Sequence, residues 1–316
     1  MLSVHTMKDA FYSRPWTFVG APYGLGSSKK GAAFGPSAIT KAGLMSRLDC
    51  LGTGVECLNT IRPVFEPTSQ SDPKLKHLQE FLSFHQSLSK SVLSVYENGR
   101  RPLVVGGDHS ISISSISTAA SYLRTQHGQD AELGVIWIDT HADINTPDSS
   151  PSGNIHGMPL AVLLGLGDPQ LTSLCVGRPA LKPINLVYIG LRDVDPGEKA
   201  LLKELNIRAY TMHDIDEQGI AKITRDAFSY LKGKTDGIVV SFDLDVCDPL
   251  IAPGVGTPVH GGITEREAHY IMEEVALVQN LLSIEFVELN PEIDQNDMSL
   301  SLSVRLLESA FGKTIL

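Results

Sequence analysis

Eight short apolar runs recur along the chain, at 16–21, 55–61, 103–105, 133–138, 185–189, 208–212, 237–242 and 282–287, with longer mixed stretches between them. Most are rich in Val, Ile and aromatic residues and apolar on both faces. A strand wetted on one face alternates apolar and polar residues; one covered on both faces need not, and such strands belong to parallel sheets buried under helices. The stretches at 73–97, 111–127, 196–205, 220–231 and 265–278 read as amphipathic helices. The alternation predicts an α/β fold, a mostly parallel sheet of about eight strands flanked by helices on both faces. No composition break or repeat divides the 316 residues, so one domain over 1–316 is expected, with 1–14 as a loosely ordered extension. Two stretches read as loops, 63–72 and 145–154. The second, NTPDSSPSGN, comes after a strand end and reads as an active-site loop.

Charge and cysteine usage narrow the function classes. The 26 basic against 36 acidic side chains give a net charge of −10, which argues against nucleic-acid binding, where phosphates need clustered Lys and Arg. No apolar run approaches the roughly 20 residues of a membrane helix. Cys50, Cys57, Cys175 and Cys247 form no CxxC pair and are too few for a disulfide scaffold. This points to a reducing, cytoplasmic setting. Residues 1–14 hold Lys8, Arg14 and His5 but also Asp9, and show neither a secretory signal nor a long basic amphipathic helix.

In open α/β sheets, ligands bind beyond the carboxyl ends of the strands. The residues just past each apolar run are therefore informative. GGDHS comes after 103–105, DTHAD after 135–138, DLD and then Asp248 after 239–242, and Glu288 after 284–287. In an extended segment, residues i, i+2 and i+4 share a side, so Asp139, His141 and Asp143 are expected to converge, as are Asp243 and Asp245. With His109 that makes four carboxylates and two imidazoles, costly to bury together unless cations neutralise them, and too many ligands for one ion. An oxygen-rich N/O set without Cys suits Mn, and also Co, Fe or Zn. A two-metal site of this kind activates water for hydrolysis. Asp108 and Asp248 read as caps, turn holders or ligand-orienting groups. No GK[ST] comes after Gly106-Gly107, which argues against a nucleotide cradle.

GGDHS at 106–110, DTHADIN at 139–145 and SFDLDVCDP at 241–249 resemble, in order and spacing, the signature segments of the ureohydrolases, the family of arginases, agmatinases, guanidinobutyrases and formiminoglutamases. SGNIHGMPL at 152–160, GLRDVDPGE at 190–198, GTPVHGGIT at 256–264 and VELNPEID at 287–294 resemble the arginase branch. One departure is Thr140, where the family usually has Ala; it is expected to point away from the metals with little effect.

The resemblance implies two Mn2+ ions per subunit, one held by His109, Asp139, Asp143 and Asp243, the other by His141, Asp139, Asp243 and Asp245. It further implies that a hydroxide bridging both attacks the guanidinium carbon of L-arginine, giving L-ornithine and urea, with Asp143 counted among the catalytic groups. His156 matches the proton-shuttle histidine, and Glu288 the carboxylate that pairs with the guanidinium. Thr257 supports the same end as Glu288, while Asn145, Ser150 and Ser152 match the positions that recognise the α-carboxylate and Asp195 the one that takes the α-ammonium. Asp195 is also suited to cap a helix starting at Pro196. The alternative is another ureohydrolase such as agmatinase or guanidinobutyrase. A non-catalytic binding relative would be expected to have lost ligands, and all are present here. The resemblance also implies a homo-oligomer, trimer or hexamer, and no nucleic-acid or membrane partner.

Overall fold

The expected alternation is realised as eight parallel strands. The computed structural model describes residues 14–58, 61 and 72–316. The strands are β1 (Trp16–Ala21), β2 (Glu56–Cys57), β3 (Arg101–Gly106), β4 (Leu133–Ile138), β5 (Leu186–Leu191), β6 (Arg208–Thr211), β7 (Gly237–Asp243) and β8 (Leu281–Val287). They form one sheet in the order β2-β1-β3-β8-β7-β4-β5-β6, and every pairing is parallel.

Alternate residues of the strands feed two cores. On one face Val19, Val104, Val135, Trp137 and Val239 pack beneath α1 (Leu78–Glu97) and α2 (Ser112–His127). On the other, Phe18, Val105, Ile136, Ile138, Val240 and Phe286 pack beneath α4 (Ile220–Leu231), α5 (Glu265–Val275) and α6 (Met298–Ala310). Between β5 and β6 lies α3 (Pro196–Glu204). Burial on both faces explains why the strands read as continuous apolar runs.

Several boundaries differ from the sequence reading. The helix expected from 73 begins at Leu78, because the turn before it braces the 145–154 loop: Lys76 N–H donates to the Gly153 carbonyl, and Lys74 pairs with Asp148. Strand β2 covers only Glu56–Cys57 of the expected run, of which 59–60 lie outside the described residues. The expected loop at 63–72 falls outside them but for Asp72, and of the expected extension at 1–14 only Arg14 is described. Helix α6 was not legible. Its start, MSLSLSV, alternates like a strand, but Asp294 accepts from the Ser299 and Leu300 N–H groups and so starts the helix. The buried Ser303 hydroxyl is satisfied by the Ser299 carbonyl. All four cysteines are free. Among the described residues no helix is long and apolar enough to cross a membrane.

Candidate metal centre

The four strands whose ends carry the Asp, His and Glu motifs are adjacent in the sheet: β3, β8, β7 and β4. After β3 the chain turns at Gly107, where a side chain is impossible: a Cβ would lie 1.8 Å from the Tyr23 carbonyl oxygen. Asp108 is next, fully buried. It accepts from Gly26 N–H at 2.8 Å, from Ser110 N–H at 3.1 Å and from the Ser110 hydroxyl. The Gly26 carbonyl in turn accepts from His156 N–H at 3.1 Å, so this turn ties His109 to His156. Burial, with the nearby Glu288 charge, pushes the Asp108 carboxyl up to about 7. Asp108 thus holds a turn, one of the roles read for it.

His109 is the centre of a first group. Its ring stacks on Trp137, with centroids 3.9 Å apart, and its Nε2 lies 2.8 Å from the Ser241 hydroxyl. Around Nδ1 stand carboxylate oxygens of Asp139 at 3.0 Å, Asp143 at 3.2 Å and Asp243 at 3.0 Å. None has hydrogen-bond geometry to that nitrogen, which is buried without a partner. In the second group His141 Nδ1 lies 3.1 Å from Asp245 and 3.6 Å from Asp139. The trios His109–Asp139–Asp243 and Asp139–His141–Asp245 each bring ligand atoms within 4.8 Å of one another, and Asp139 belongs to both. Asp243, expected to serve both positions, falls in the first trio.

The route to this convergence differs from the expected one. Strand β4 ends at Ile138, so 139–143 is not extended; it turns, and Asp143 takes a left-handed φ of 49°. Asp243 ends β7, while Asp245 lies in a 3-10 turn whose N–H donates to Asp243 Oδ1 at 2.8 Å. A left-handed backbone costs a non-glycine residue about 1–2 kcal/mol and is often held where a side chain must be aimed.

The donor set fits cations. In the neutral tautomer whose Nε2–H donates to Ser241, His109 Nδ1 presents a lone pair to the point where the carboxylates gather, as a ligating imidazole does. Burial alone would lower the His109 pKa, yet Asp139, Asp143 and Asp243 hold it well above the ordinary value; Asp245 and Asp139 do the same for His141. Burial, then the Asp139 charge, pushes Asp143 up to about 6, and burial with the Asp245 and Asp139 charges raises Asp243 well above the ordinary value as well. Like charges this close cannot all ionise unless positive charge is supplied, and divalent cations between them supply it.

A pocket of about 120 Å³ opens over this floor. It is lined by His141, Asp143, Asp243 and Asp245 below, and by His156, Asn145, Ser150, Ser152, Asp195 and Thr257 around. His109 and Asp139 lie beneath it, fully buried. Glu288, left-handed at φ 66°, turns back from β8 so that Oε1 accepts from His109 N–H at 2.9 Å and lies 3.3 Å from His156 Nδ1. Its Oε2 is buried with no partner. Burial would lower the His156 pKa, but Glu288, Asp143 and Asp108 raise it to about 9.

At the rim, Asn145 Nδ2 donates to Asp195 Oδ2 at 2.9 Å, and the Ser149 hydroxyl fixes Asn145 Oδ1 at 2.8 Å. Asp195 stands at the start of α3, before Pro196, and Glu198 closes the turn by accepting from its N–H at 2.9 Å. The helix-start position and the pocket position coincide. Ser150 Oγ accepts from Gly153 N–H, and Ser152 Oγ from Asn154 N–H. Thr257 Oγ1 donates to Asp245 Oδ2 at 3.1 Å, so it braces a floor carboxylate as well as lining the pocket.

Sequence reasoning missed the groups behind the ligands. Trp137 Nε1 donates to Asp139 Oδ2 at 2.9 Å. Trp137 and Ser241 each lie two residues before a floor aspartate, a period-two signal that could have found them.

A parallel α/β sheet with an imidazole–carboxylate cluster at the carboxyl ends of its central strands is the architecture of a metal-dependent hydrolase. The sequence matches the Arginase family over residues 14–312. It is 42% identical over 306 residues to an arginase of Bacillus caldovelox, covering 96% of this chain and 100% of that protein. It is 44% identical to one of Bacillus subtilis, covering 94% and 98%. The fold is similar to the native structure of the B. caldovelox arginase, with a TM-score of 0.90 over 96% of this chain and 100% of that one. It is also similar to an Entamoeba histolytica arginase in complex with L-ornithine, at 31% identity and a TM-score of 0.87 over 95% and 99%. The chain belongs to the arginase family.

Proposed function

We propose that this chain hydrolyses the guanidinium group of L-arginine to L-ornithine and urea, with two Mn2+ ions per subunit, for which Co, Fe or Zn can substitute. The observation that carries this reading is the pair of trios sharing Asp139 beneath a pocket, with the partnerless Glu288 Oε2 buried beside His156, one of the pocket's lining residues. His109, Asp139, Asp143 and Asp243 would hold one ion, and His141, Asp139, Asp243 and Asp245 the other. When bound, such ions make water a competent nucleophile near neutral pH, which the resonance-stabilised guanidinium requires.

The chain's own residues do the rest. Glu288 presents its free oxygen to a fork-shaped cation, the geometry in which carboxylates pair most strongly with guanidinium. His109 N–H and His156 fix that carboxylate from behind. His156, reaching both Glu288 and the pocket, carries the proton that the leaving amine nitrogen needs. Asn145, Ser150 and Ser152 receive the α-carboxylate, and Asp195 the α-ammonium. A site built to pair the carboxylate leaves donors unpaired when agmatine enters, and so discriminates against it. The homo-oligomeric state, trimer or hexamer, and the cytoplasmic location belong to the same proposal and rest on the resemblance and on cysteine usage.

Urea release from L-arginine and from agmatine, measured after Mn2+ loading and again after chelation, tests the reading. Arginine turnover that chelator abolishes, with agmatine inert, is expected. Agmatine turnover overturns the amino-acid selectivity. No urea from either substrate overturns the proposed reaction.

A further inference from the structure

The Asp245 carbonyl is where three strand ends meet. It accepts from the Thr140 hydroxyl at 2.7 Å and from Arg192 Nη2 at 2.9 Å. Arg192 also reaches the carbonyls of Val246 at 3.0 Å, Val259 at 2.7 Å and Cys247 at 3.4 Å. Its guanidinium therefore spans the 3-10 turn after β7 and the segment that carries Thr257. The backbone N–H groups of Arg192 and Asp193 donate to the Thr140 carbonyl at 3.0 and 3.2 Å, tying the end of β5 to the end of β4. A register shift in β5 at Gly190, with φ +103°, permits this approach; a Cβ there would lie 2.5 Å from Val246 Cγ2.

The brace bears mainly on Asp245. Thr140 N–H faces Asp245 Oδ1 at 3.4 Å, and Thr257 holds Oδ2 at 3.1 Å. Ser241 supports His109, and Trp137 supports Asp139, which both trios share. Thr140 is fully buried and does point away from the pocket. Its hydroxyl is nevertheless spent on a floor residue.

We propose that Thr140 and Arg192 are positioning residues that orient Asp245 and thereby set the affinity of one of the two cation positions, the His141–Asp245 one, more than that of the His109 one. This rests on the reading of the two trios as cation sites. The carbonyl of a residue whose side chain ligates a cation fixes where that side chain starts. Losing such outer support costs about 10–100-fold in metal affinity.

The test is calorimetric titration of Mn2+ into metal-stripped protein, with thermal unfolding in parallel. Thr140→Val removes the hydroxyl and keeps the shape; Thr140→Ser restores it. Arg192→Lys keeps the charge but loses the fork that spans four carbonyls. Arg100→Lys is the control, a guanidinium that holds Thr17 Oγ1 and the Gly54 carbonyl, away from the floor carboxylates. Wild type should show two binding events. Thr140→Val and Arg192→Lys should weaken one event by about 10–100-fold and the other by clearly less, with Thr140→Ser close to wild type. Arg100→Lys should lower thermal stability and move neither event. Equal weakening of both events, or no weakening in a folded Thr140→Val protein, overturns the inference and leaves the proposed function standing. Wild type that binds no Mn2+ overturns both. If Arg192→Lys does not fold, the Thr140 pair decides.

Discussion

His85, on α1, provides a stability switch that can be worked out in advance. It is buried between α1 and α2, with Nδ1 3.0 Å from the Ser114 hydroxyl and Nε2 3.3 Å from that of Ser89. Burial lowers its pKa to about 4. The unfolded chain keeps the ordinary value of about 6.5, so between these values the unfolded state binds more protons and stability falls as pH falls. Integrating that difference from about pH 7.5 to about pH 5 gives a loss of about 2 kcal/mol, a large share of the 5–15 kcal/mol that holds a typical domain together. Replacing His85 by Gln keeps hydrogen-bonding groups toward both serines and removes the titration. Urea unfolding of metal-stripped wild type and His85→Gln at the two pH values isolates the effect, because every other titrating group is shared. The wild type should lose about 2 kcal/mol relative to the variant on going to the acidic condition. A difference between the two proteins that stays constant with pH, or that moves in favour of wild type in acid, would show that His85 is not held neutral by its burial.

The geometry sets three further outcomes. Gly107→Ala should destabilise by at least about 1–3 kcal/mol in thermal unfolding, because its Cβ meets the Tyr23 backbone. Gly157→Ala, beside His156 but with nothing within 4 Å of the added Cβ, should stay within about 0.5 kcal/mol of wild type in the same measurement. Asp195→Ala should raise KM for arginine by about 10–100-fold, the worth of a charged hydrogen bond, while Mn2+ stoichiometry in calorimetry is unchanged.

The sheet was legible because burial on both faces leaves its mark in composition. The run at 133–138 coincides with β4 to the residue, and the eight runs became eight strands. Edges were less legible: Glu56 and Cys57 of β2 are both exposed, so little hydrophobic pattern constrains that strand. The floor ligands were legible as types at strand ends, but the geometry assumed for them was not the one adopted. The left-handed turn at Asp143 and the 3-10 turn at Asp245 do what strand alternation was expected to do. Least legible were contacts between segments far apart in sequence. Nothing local in GLRDVD says that Arg192 reaches the carbonyls of 245–247, and nothing in the early turn says that Gly26 links Asp108 to His156. Those links depend on strand order, which one-dimensional patterning does not carry.

Central to the proposed function is that the ends of β3, β7 and β4 together hold two cations. Crystals grown with Mn2+ and measured by anomalous diffraction at the manganese edge test it directly. Two peaks are expected, one among His109, Asp139, Asp143 and Asp243 and one among His141, Asp139, Asp243 and Asp245. A single peak, or manganese bound only elsewhere, would contradict it.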